Sequence, residues 1–118
     1  MNKHPPQWTV GARMPGQLRV EVERRPGLAV VRLAGHLGID GHRTLQTACD
    51  DCLADPRVAG LRLDLCPIES TDATALGLLL VLRERCRRMN KAVTLTGCAS
   101  LTRHGLSAND LQRHFTVL

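Results

Sequence analysis

Residues 61–97 read LRLDLCPIESTDATALGLLLVLRERCRRMNKAVTLTG. Leu61, Leu63 and Leu65 alternate with Arg62, Asp64 and Cys66, the period of a strand with one buried face, and Pro67 ends it by withholding a backbone N–H. Ser70 to Asp72 reads as a polar turn. Ala73 to Met89 has the length and the helix formers of a long helix, which Asn90-Lys91 closes. Ala92 to Gly97, rich in β-branched residues, returns as a strand. A strand, a helix and a strand in this order indicate an α/β fold.

Upstream, Leu18, Val20 and Val22 alternate with Arg19, Glu21 and Glu23, a half-buried strand; Pro26-Gly27 turns the chain, and Leu28 to Ala34 supplies its hairpin partner. Gly35 to Gly41 reads as a loop, with Asp40 as N-cap of a helix running to about Ala54, where Asp55-Pro56 stops it. Downstream, Ser100 is expected to cap a short helix, a turn follows around Ser107 to Leu111, and Phe115 to Leu118 forms a terminal strand. The expected order is ββαβαβαβ: a mixed β-sheet covered by helices mainly on one face. Residues 18–118 form a single domain in this reading. Residues 1–17, with Pro5, Pro6, Pro15, Gly11 and Gly16 and no apolar period, read as a flexible arm whose Trp8 and Val10 could dock on the body.

A chain of 118 residues, 43% hydrophobic and 23% charged, has the makeup of one globular domain. Aromatics are 2%, so the core must be aliphatic, and the platforms on which single-stranded nucleic acid stacks are missing. The net charge of +5 admits nucleic acid, anionic lipid or an acidic protein as partner. Arg83, Arg85, Arg87 and Arg88 fall within the long helix and read as a solvated face, so direct DNA binding is not expected. Five cysteines without a secreted framework, and no apolar stretch of a signal peptide, point to the cytoplasm. No run reaches the roughly 18 residues that span a bilayer, so membrane insertion is not expected.

Cys49 and Cys52 form a CxxC in mid-helix beside Asp50 and Asp51, whereas a redox pair needs a helix N-terminus to lower its thiol pKa. Cys66, Cys86 and Cys98 stand on separate elements, which leaves no second ligand pair for zinc. No serine elbow accompanies His36, His42, His104 or His114, and no phosphate-binding glycine loop is present. Catalytic residues, metals and cofactors are therefore not expected.

The informative stretch is Thr71-Asp72-Ala73-Thr74-Ala75-Leu76-Gly77. Asp72 can accept from the free N–H groups of the helix start. At about 100° per residue, Ala75, Leu78, Leu79, Leu82, Cys86 and Met89 share a core arc. Leu76 and Leu80 fall outside it, with Ala73, Gly77 and Glu84. Two leucines among small residues, ringed by charge, suggest a partner-binding stripe, on which Leu80→Arg should abolish capture and spare stability.

These residues resemble the STAS family, the sulfate-transporter and anti-sigma-factor-antagonist domain, over Leu18 to Leu118. Against its signature D-S-[ST]-G-L-G, Asp72, Leu76 and Gly77 match, and Thr74 fits the permitted alternative. The resemblance implies a non-enzymatic domain that binds an anti-sigma factor, a kinase-like ATPase, and frees a sigma factor. It also implies a phosphorylated serine where this chain has Ala73, which leaves the chain permanently in its binding form or switched at Thr74. In the family's G-x-L-D loop, Gly35-His36-Leu37-Gly38 puts glycine in the acidic place, with Asp40 near enough to compensate. The STAS subunit of the phospholipid-trafficking ABC transporter is similar too, through Leu76 to Leu80 and Val93 to Gly97, which implies docking on a transporter ATPase. A small nucleotide- or lipid-binding module and a homodimer remain open alternatives.

Overall fold

A computed structural model describes residues 17–118, so the expected arm, with Trp8 and Val10, lies outside the described residues except for Gln17. β1 (Arg19–Arg25) and β2 (Gly27–Leu37) form the antiparallel hairpin set by Pro26-Gly27. β3 (Val58–Asp64), β5 (Ala92–Thr96) and β6 (Thr116–Val117) follow in parallel, giving the order β1-β2-β3-β5-β6. The long β2 serves two partners on one edge. Its first half pairs with β3, and Gly35 to Leu37 pair in parallel with β4 (Ile68–Thr71).

Ala29, Val31 and Leu33 of β2, Leu61 and Leu63 of β3, and Leu95 of β5 point to one side, where they form one buried cluster with all four helices. These are α1 (His42–Ala54), α2 (Ala75–Arg88), α3 (Ala99–Arg103) and α4 (Ala108–His114). Each leucine withdrawn fully from water stabilises the fold by about 1.5–3 kcal/mol, which is how an aliphatic core manages without aromatic bulk. The alternate residues face away from the cluster and pair across strands: Arg32 donates to Glu21 and to Asp64, both at 3.0 Å.

Several expectations are corrected. The turn expected over Ser70 to Asp72 is largely strand, because β2 outruns β3 and leaves an edge that β4 satisfies. Asp40 does not cap α1: Ile39–Gly41 is a 3-10 turn, and α1 starts at His42 after Gly41 with no side-chain cap. α2 starts at Ala75 instead of Ala73. Met89, placed in the core arc by periodicity, lies beyond the last helical residue and is 50% exposed. Ser100 is not a cap; it sits inside α3, buried, and donates to the Ile68 carbonyl at 2.5 Å. The turn around Ser107 to Leu111 is helix α4, whose N-cap Ser107 accepts from the Asp110 N–H.

Candidate functional site

β2 and β4 run parallel, so their C-terminal ends open on the same end of the sheet, the end on which loops of an α/β fold gather side chains. β2 delivers His36 and the Gly38–Asp40 loop; β4 delivers Ser70, Thr71 and Asp72 at the start of α2. Asp72 is the hub. Its Oδ1 accepts from the Thr74 N–H at 2.8 Å and the Thr74 hydroxyl at 2.5 Å, so Asp72 braces the N-cap residue of α2 and is not itself the expected N-cap. Its Oδ2 accepts from the Ile39 N–H at 3.2 Å and lies 3.6 Å from His36 Nε2. His36 Nδ1 lies 2.7 Å from Ser70 Oγ. The Thr74 hydroxyl and amide, joined by Ile39 and His36, hold the Asp72 carboxyl below the usual carboxylate range.

Asp72 therefore fastens the loop after β2 to the entry of α2. Gly38 makes the fastening possible: it is buried, and a Cβ there would collide with the Asp72 carboxylate and the His36 ring. The clamp displays Ile39, which is 58% exposed. Periodicity could not find Ile39 or Gly38, since a three-residue 3-10 turn and its N-cap are too short to show a period. The available signal was a lone large apolar residue in a glycine-rich loop.

Among the predicted residues, His36, Asp72 and Thr74 come together, with Ala73 exposed beside them. Asp40 is exposed on the 3-10 turn, outside the clamp. Glu84 lies more than two turns farther along α2, where Arg87 and Arg88 hold its carboxyl down to about 2, mainly through the Arg87 hydrogen bonds. Leu76 and Leu80 correct the expected stripe. Both are half-buried and packed against the core, because they sit on the flank of α2 and not on its outermost line. Leu76 lines an open depression of about 380 Å³ with Asp72, His104, Leu106 and Asp110. The outward side of α2 instead carries Gly77 and Val81, with Ala73 in the turn before the helix, all three exposed and Val81 at 49%. Leu80→Arg would consequently disturb packing as well as any contact.

Cys49, Cys52 and Cys86 are fully buried between α1 and α2. Burial pushes the Cys49 thiol up to about 12 and the Cys86 thiol to about 11, the opposite of thiol activation. Among the described residues, no cluster of three or more His, Cys, Asp or Glu side chains is arranged to hold a metal, and no helix is long and apolar enough to cross a membrane.

Residues 20–118 match a family model described as STAS_2: Mlab, STAS domain. No curated protein matches the chain in sequence. In structure it is similar to the anti-sigma factor antagonist SpoIIAA in its unphosphorylated form, at 14% identity and a TM-score of 0.65, covering 84% of this chain and 86% of that one. An anti-sigma factor antagonist from Mycobacterium paratuberculosis is similar at 19% identity and a TM-score of 0.59, covering 87% and 98%. So is part of the murine anion transporter Slc26a9, at 13% identity and a TM-score of 0.60, covering 82% of this chain and 17% of that one. At these identities the likeness concerns the fold.

Proposed function

Because the chain belongs to the STAS domain family, we propose that it is a non-enzymatic regulatory domain that captures a protein partner with the first half of α2 and the clamped loop after β2. The observation that carries this reading is Gly77. A glycine inside an exposed helix costs about 1 kcal/mol relative to alanine, and a Cβ added there would meet nothing within 4 Å. The isolated chain gains nothing from the missing side chain; an approaching surface gains close contact with the helix. Ile39 and Val81 supply exposed apolar anchors beside it, and Leu76 lines the adjoining depression.

The partner in this reading is an anti-sigma factor of the kinase-like ATPase type, supported by the structural likeness to anti-sigma factor antagonists. Ala73 offers no hydroxyl for phosphate, and the Thr74 hydroxyl donates to Asp72, which together favour a domain that stands in its binding form without a covalent switch. With Gly38 in the loop's acidic place, recognition rests on the apolar anchors. The description of the matching family model, which names Mlab, favours a second reading in which the same face docks on the ATPase of a phospholipid-trafficking ABC transporter.

Affinity capture with the full chain, followed by identification of the bound protein, separates the two. A histidine-kinase-like ATPase supports the first and an ABC nucleotide-binding subunit the second. Gly77→Leu, which has room in the free chain, should fold normally and lose the partner. Equal capture by Gly77→Leu and wild type overturns the placement of the site.

A further inference from the structure

At 100° per residue, Gly77, Val81, Glu84 and Arg88 fall on one outward line of α2, opposite Ala75, Leu79, Leu82 and Cys86. The line holds a gap at Gly77 and, one turn on, an exposed apolar side chain at Val81. We propose that this face also pairs with a second copy of the chain, two α2 helices crossing antiparallel about a two-fold axis so that Val81 of each enters the gap at Gly77 of the other. The pairing rests on the reading of this face as a binding surface and describes its regulation.

Shape and charge both favour a second copy as the occupant. A two-fold interface must be self-complementary, and a knob and a notch one turn apart on one helix satisfy that condition twice over. Setting Val81 on Gly77 also places Glu84 over Thr74, since both pairs share one midpoint. Glu84 arrives there together with Arg87 and Arg88, which donate to its carboxylate, so the group that meets the Asp72 carboxylate of the other copy carries net positive charge. Arg88, one turn beyond, approaches the end of the other copy that carries Asp72. The cation-rich last turn of each helix thus meets the end of the other that bears a carboxylate.

A single helix crossing buries less than the roughly 1,200 Å² of a standard stable interface, so the pairing is weak and yields to a tighter partner. The dimer then holds the capture face closed at high chain concentration and releases it on dilution or when the partner appears.

Sedimentation of the full chain over a concentration series tests this. Wild type should pass reversibly from monomer to dimer, and Val81→Glu should raise the midpoint concentration by about tenfold or more. Val81 is exposed, so the variant should melt as wild type does; if it does not, Gly77→Leu, whose Cβ meets nothing in the free chain, fills the gap from the other side and should weaken dimerisation as much. Wild type that stays monomeric at millimolar concentration overturns the pairing, as does a Val81→Glu chain that melts as wild type and dimerises equally well. Capture is measured separately, so a monomeric chain that still binds its partner sinks the dimer alone, and a dimeric chain that captures nothing sinks the capture reading alone.

Discussion

Asp72 shows how much one side chain can organise here. Its carboxylate accepts from two groups of Thr74 and from the Ile39 amide, joining two segments that lie more than thirty residues apart in sequence. Its folded pKa is lowered, so the stabilisation is present above the ordinary aspartate range and is lost as pH falls through the lowered value. The amide resonances of Ile39 and Thr74 should therefore shift together on acidification, with a midpoint below that of an exposed aspartate. Separate midpoints, or one at the ordinary value, would show that no clamp exists. A role for Asp72 at the entry of α2 was legible in the sequence, although the N-cap is Thr74, without a side-chain cap bond, and Asp72 accepts from the Thr74 N–H instead of one in the first turn. Its grip on Ile39 and its closeness to His36 were not, since they depend on β2 and β4 ending side by side.

At the scale of elements, long periodic segments declared themselves: α2, β3 and the opening hairpin follow from the spacing of Leu61, Leu63, Leu79, Leu82, Val20 and Val22. The short pieces did not. β4 has four residues and pairs along one edge only, so Ile68 to Thr71 carries no alternation long enough to detect. Its support is tertiary, through the Ser100 hydroxyl on the Ile68 carbonyl. Ser100→Ala should lower stability by about 1–2 kcal/mol, because that carbonyl would stay buried without its donor. Chemical denaturation reads the loss, and an unchanged midpoint would mean that another donor serves β4.

At the scale of the whole molecule, the proposed capture face follows from where the parallel strands end. β2 and β4 deliver the clamp to one end of the sheet, and α2 leaves that end with its outer line uncovered. The helical period found this helix and its core side. Spacing sets Leu76 and Leu80 outside the core together with Ala73, Gly77 and Glu84; the structure leaves Gly77 exposed and adds Val81, but half-buries both leucines. Wheel angles measure direction from the helix axis but not how far the chain after α3 rises beside the flank, and His104 to Leu106 rise far enough to border Leu76.

The central claim is that Gly77 is a deficit in the free chain kept for the benefit of a bound surface. Gly77→Ala tests it most directly, with thermal melting and the affinity for the captured partner measured on the same preparation. Melting should rise by several degrees, in line with about 1 kcal/mol of helix propensity, while affinity falls by about tenfold. A variant that gains stability and binds the partner as tightly as wild type would contradict the account.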